Sequence, residues 1–218
     1  MTSFAAVRGT RERARLPLVL AALATVVLAA TAYHPPAGRF NWFLEVIPGI
    51  VGCVVLAATF RRFPMTPMIY VMVFVHLMIL DYGGYYTYAK APLGDWARET
   101  FGFARNHYDR VGHLALGLFP AFIVREVLLR RTPLERGGWL NFLVLSVILA
   151  IGAFWELIEW WTTLGVAGDV GQAFLGSQGD PWDAQWDMFL ALVGAAIALV
   201  LGSRFHDRQL ERLARPSA

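Results

Sequence analysis

The chain has 218 residues, 57% of them hydrophobic and only 16% charged, with a net charge of +3. This balance excludes an ordinary soluble domain and points to an all-α polytopic membrane protein. The single cysteine, Cys53, lies inside an apolar run, which excludes an intramolecular disulfide and a cysteine metal cluster. Nucleic acid is not an expected partner, because the arginines lie beside apolar spans where membrane topology accounts for them.

Several windows near twenty residues long carry almost no charge, enough to cross a hydrocarbon core of ~30 Å. Residues 1–15 are basic and precede a first span at Leu16–Ala32. That layout also fits a signal peptide with Ala30-Thr31-Ala32 at a cleavage site, but a retained helix is the expected reading. The second span, Trp42–Phe60, carries Glu45 in its first turn and an expected kink at Pro48-Gly49. The third, Met65–Tyr82, contains His76, ends at Asp81 and runs into a tyrosine cluster typical of the lipid headgroup level.

Residues 83–106 form the longest connection, with one short helix expected around Asp95–Phe101. The fourth span is Tyr108–Leu129, with an expected kink at Pro120 and an ion pair between the adjacent Arg125 and Glu126. The fifth is Trp139–Trp161. A glycine-rich loop, Gly165–Gly179, leads to the sixth, Trp182–Ser203, whose Gly194-Ala195-Ala196 run allows close helix packing. A six-helix membrane domain thus occupies residues 16–203, and residues 204–218 read as a polar cytoplasmic tail.

Of the nineteen basic residues, fourteen lie at the termini and in the second and fourth loops. Arg39, Lys90, Arg98, Arg105 and Arg110 lie at the opposite ends, together with eleven of the sixteen acids. The positive-inside bias therefore places both termini in the cytoplasm. A negative outer face favours cations.

The candidate chemistry gathers at that outer side. Asp109 and His113 are four residues apart, on one face of the fourth helix. Glu156 and Glu159 lie near the end of the fifth, and Asp183 and Asp187 near the start of the sixth. His76, His113, Glu156 and Asp187 share a depth about 7–10 Å from the outer helix ends at 1.5 Å rise per residue. A charge buried in mid-helix costs about 2.5–3.5 kcal/mol on insertion scales, and Arg110 is the one basic side chain expected near enough to offset it. Plainer roles compete. Asp180-Pro181-Trp182-Asp183 reads as a helix cap with a first-turn proline and acid, and Asn106 and Asp109 have the same offset. Glu159, beside Trp160-Trp161, also suits the headgroup boundary. The whole cluster also suits a hydrogen-bonded network that only ties helices together.

At these residues the chain resembles the YjdF-type family of bacterial inner-membrane proteins, which has no established activity. Three motifs carry the resemblance: Arg105-Asn106-His107-Tyr108-Asp109-Arg110 with His113, Trp155-Glu156-Leu157-Ile158-Glu159-Trp160, and Gln178-Gly179-Asp180 with Trp182-Asp183-Ala184-Gln185 and Asp187-Met188. That family is similar in turn to VanZ-like proteins, which are linked to reduced glycopeptide-antibiotic binding at the cell envelope. Asp109 and His113, Glu156, and Asp180 and Asp183 match the VanZ-like pattern. Arg110 stands for its lysine, Glu159 for its glutamine and Asp187 for its asparagine, which makes this site more acidic.

The leading expectation is an outward-facing enzyme acting on a membrane lipid or lipid-linked envelope substrate with a divalent metal. Asp109, His113, Glu156 and Asp187 are the candidate ligands, with His76 a further one; imidazole and carboxylates together suit zinc, iron or manganese. Glu159 or Asp183 would be the catalytic general base on a metal-bound water. The alternatives are a cation- or proton-coupled transporter using the acids as a relay, and a non-catalytic envelope accessory protein.

Overall fold

The computed structural model describes residues 4–165, 171 and 174–214, with side chains from Arg13 onward. Asp169, Arg215 and the side chains of Arg8 and Arg11 therefore lie outside the described residues. Among the described residues there is no strand. The helices bounded within the described residues are, in order, α1 Phe4–Tyr33, α2 Arg39–Thr59, α3 Pro67–Tyr86, α4 Pro92–Phe101, α5 Tyr108–Leu118, α6 Pro120–Arg131, α7 Gly138–Gly165, α8 Asp183–Ile197 and α9 Ser203–Ala214. Joined where they run on, they give six segments long and apolar enough to cross a membrane: Arg13–Tyr33, Arg39–Thr59, Pro67–Tyr86, Tyr108–Arg131, Gly138–Gly165 and Asp183–Ala214.

The expected breaks fall differently from the prolines. Pro48 sits inside an uninterrupted α2. Pro120 does interrupt its span: it brings no N–H for the carbonyl of Leu116, so α5 stops at Leu118 and α6 restarts at Pro120. The short connecting helix begins earlier than expected, with Pro92 in its first turn, and ends on left-handed Gly102.

The sixth span does not end at Ser203. A single π turn at Ala198–Gly202 carries the chain into α9, which runs to Ala214. His206, expected in a solvated tail, is fully buried instead.

The main core joins α3, α6, α7 and α8 through Ile69, Phe122, Leu140, Val144, Ile148, Ala191 and Ala195. A second cluster of Ala24, Trp42, Val46 and Leu77 ties α1 and α2 to α3. Asp81 reinforces it by accepting from Thr31 Oγ1 at 2.8 Å and from Trp42 Nε1 at 2.9 Å.

The helix pair that positions the site is α5 with α8. A Cβ at Gly117 would land on the backbone carbonyl of Ala191, and one at Gly194 on that of Leu114. Only hydrogen at both positions lets the two backbones meet, as small-residue interfaces do in membranes.

Candidate metal centre

That close approach brings Asp109 and His113 of α5 against Asp187 of α8. Each offers one ligand atom, and the three atoms lie within 4.8 Å of one another. All three residues are buried, Asp187 at 1% exposure. His113 Nε2 stands 3.6 Å from Asp109 Oδ1, and Nδ1 stands 3.7 Å from Glu156 Oε1 on α7. Those separations exceed hydrogen-bond length. His113 Nδ1, Glu156 Oε1 and Asp187 Oδ1 are accordingly buried without a hydrogen-bond partner. Buried polar atoms left unpaired are costly unless something else satisfies them.

The remaining candidates divide. Glu159 is buried within the protein and accepts from Trp155 Nε1 at 2.7 Å. Asp183 takes Arg105 NH1 at 2.6 Å instead of closing a capping box. Asp180 is not the N-cap, since the helix starts at Asp183 with Trp182 in the capping position; its side chain instead closes an Asx turn, accepting from the Trp182 N–H at 3.0 Å, and holds Arg110 NH2 at 2.9 Å. His76 stands outside the three-residue group; its ring lies 5.7 Å from that of Phe119, and its Nε2 is buried without a partner.

Three contributors were not expected. Arg105 supplies the charge that offsets Asp183, where Arg110 alone was anticipated. Glu45, read only as a first-turn acid, is buried at 5% exposure and lies within electrostatic reach of Asp109 and Glu159. Tyr88 fills the space between α3 and α5, its ring where a Cβ of Gly83 or Gly112 would otherwise stand. Burial, then the charge of Glu45, raises its hydroxyl well above the usual tyrosine range. The signal for Glu45 was available in the sequence: it is an acid in an apolar segment that has no basic residue one turn away.

The loop before α8 roofs the cluster. Gly176, at φ +67°, lies so close to Asp109 that a Cβ there would stand 3.4 Å from Oδ2, and its carbonyl accepts from Arg105 NH2 at 3.1 Å. Gln178 clasps the backbone of Asn106, accepting from its N–H at 3.2 Å and donating to its carbonyl at 2.8 Å. Phe174 covers Trp155 with ring centroids 6.0 Å apart. Next to this clasp, burial first and then Arg110 and Arg105 hold the His107 imidazole below its ordinary pKa.

Fold and site together define a six-span integral membrane protein with a roofed acid–histidine cluster at one end of its bundle. Residues 16–208 match the family described as predicted membrane protein (DUF2238), and the chain belongs to that family. It is 47% identical over 174 residues to inner membrane protein YjdF of Escherichia coli strain K12, covering 80% of this chain and 83% of that protein. The resemblance read from the three motifs is thereby borne out. No solved structure matches.

Proposed function

We propose that this chain is a metal-dependent enzyme of the bacterial inner membrane, acting at the outer face on a lipid or lipid-linked envelope substrate. The observation that carries the reading is the trio Asp109, His113 and Asp187, with ligand atoms within 4.8 Å and no competing hydrogen bonds at Asp187 Oδ1 or His113 Nδ1. One imidazole and two carboxylates suit zinc, iron or manganese, and Glu156, outside that trio with Oε1 3.7 Å from His113 Nδ1, is the fourth candidate ligand. A divalent ion there would supply Lewis acidity and an activated water.

The chain's own groups divide the other tasks. Glu159, oriented by Trp155, is the general base. Asp183 is tied to Arg105, so it holds the roof and the guanidinium rather than a proton in transit. Exposed Trp160, Trp161, Trp182 and Trp186 flank the site where a membrane–water interface would lie, which supports a lipid-borne substrate. The inner-membrane location is supported by the Escherichia coli relative, and the outward orientation by the arginine bias. A relay transporter has less behind it: Glu126, the buried acid at the basic end among the described residues, is engaged by Thr66, Arg130 and His206.

Elemental analysis of protein purified without chelator tests the reading. One divalent ion per chain, lost in Asp187→Asn, supports it. Background metal in the parent protein, after growth with zinc, iron and manganese supplied, rejects it.

A further inference from the structure

A second site lies at the far end of the bundle, between α1, α2 and α3. A cavity of about 220 Å³ is lined by Ala14, Pro17 and Ala24 of α1 facing Cys53, Phe60 and Leu77. It exists because small side chains face one another where α1 packs mainly on α3 and leaves α2 partly uncovered. From Ala14 to Ala24 the groove runs about 15 Å along the helix axis at 1.5 Å per residue. Leu18, which also lines it, is 65% exposed, so the groove faces the surrounding hydrocarbon. Its lining offers almost nothing to a water: the Tyr70 hydroxyl at its edge already accepts from the Met65 N–H at 3.0 Å.

Charge identifies the occupant. Arg13 and Arg15 flank Ala14, and Arg61 and Arg62 follow Phe60, so the chain sets four arginines beside the lining residues at one end of the groove. All four are exposed and make no ion pair among the described residues. Of the other arginines at that end, Arg125 and Arg136 are engaged with Asp207 and Arg130 with Glu126, and Arg131 lies over the Phe63 ring. A membrane supplies one ligand with an apolar tail of that shape and a negative head. We propose that this groove binds the acyl chain of an anionic phospholipid of the adjacent leaflet, whose phosphate is held by Arg61 and Arg62 with Arg13 and Arg15. The site is separate from the acid–histidine cluster and does not depend on its metal.

Native mass spectrometry of the delipidated full chain, titrated with phosphatidylglycerol or phosphatidylcholine, tests this. One phosphatidylglycerol should be retained, several-fold more strongly than phosphatidylcholine. Ala21→Phe, which fills the groove, should abolish retention, and Arg61→Gln with Arg62→Gln should remove the preference between the lipids. Cys53 gives a reading on the unsubstituted protein that does not depend on how a variant folds. As the only cysteine, it should react with a maleimide several-fold more slowly when phosphatidylglycerol is present, and at an unchanged rate with phosphatidylcholine. Equal retention of both lipids, or a Cys53 rate indifferent to phosphatidylglycerol, overturns the proposal.

Discussion

His206 Nε2 lies 3.0 Å from Glu126 Oε2, and neither side chain has any solvent exposure. The pair fixes α9 beneath α6. Arg125 NH1 approaches the other ring nitrogen, Nδ1, at 3.1 Å. A guanidinium can only donate, so Nδ1 accepts and the ring proton sits on Nε2, donating to Glu126. That assignment follows from the network's donors and acceptors. Glu126 also accepts from the Thr66 hydroxyl at 2.8 Å and from Arg130 at 2.6 Å, so one carboxylate ties α6, α9 and the entry to α3.

Glu126→Ala should therefore be among the most destabilising single changes in the chain. Removing one partner of a buried ionic group costs about 3–5 kcal/mol, because the others are left unpaired. Denaturation in mild detergent would measure it, while metal per folded molecule should stay unchanged. A loss under about 1 kcal/mol, the scale of an exposed pair, would show that the network is dispensable.

The α5–α8 contact offers a way to damage the site without touching any polar residue. Gly117→Leu places a side chain against the Ala191 carbonyl and must push the helices apart. Overpacking costs typically about 1–3 kcal/mol, and here backbone would have to move. The expected result is loss of bound metal with the six-span fold preserved. Normal metal content in Gly117→Leu would mean that the site does not need this approach.

Much of this arrangement was legible beforehand because it rests on local spacing. The six spans follow from apolar length, and the pairing of Asp109 with His113 from the four-residue repeat of a helix. What spacing cannot carry is contact across the chain. His206 meets Glu126 from 80 residues away, through a π turn that no residue type announces. Arg105 reaches Asp183 over 78 residues, bent back by the Gln178–Asn106 clasp. The expected pair of Arg125 with Glu126 failed for a simple reason. Neighbours on a helix point about 100° apart, so each found its partner elsewhere.

Orientation rests on charge and can be checked directly. With fourteen basic residues at one set of ends, a reporter fused after Ala214 should read cytoplasmic. One inserted at Gly179 should read external. The reverse at either point would put the acid–histidine cluster on the cytoplasmic face and remove an envelope substrate from consideration.

His113 separates a ligand from a structural tie. If it holds metal, His113→Ala should empty the site and abolish activity while the folded protein stays recoverable, since its Nδ1 makes no hydrogen bond to lose. Leu116→Ala is the packing control, a partly buried leucine on the main core whose truncation costs about 2–5 kcal/mol in soluble proteins. That variant should lose stability and keep its metal. If the two behave alike, the cluster is a network that binds helices together.

The acids of α8 give the last discrimination. Asp180 accepts the Trp182 N–H and neutralises Arg110 at 2.9 Å, both at the helix entrance. Asn at that position can close the same Asx turn, and only the charge is lost. Asp180→Asn should therefore keep full metal content with a small fall in stability, because Arg110 is partly exposed and can turn to water. Asp187 is a turn further in, at 1% exposure, with Oδ1 unpaired beside Asp109 and His113. Asp187→Asn keeps the shape but removes the charge and one anionic ligand atom. It should lose metal outright and, by relieving carboxylate repulsion in the empty site, melt no lower than the parent stripped of metal. Isothermal titration of both stripped variants with zinc and manganese reads the difference. If Asp187→Asn binds as the parent does while Asp180→Asn does not, the ion sits at the helix entrance between Asp180 and Asp183, and Asp187 serves the packing of α5 on α8.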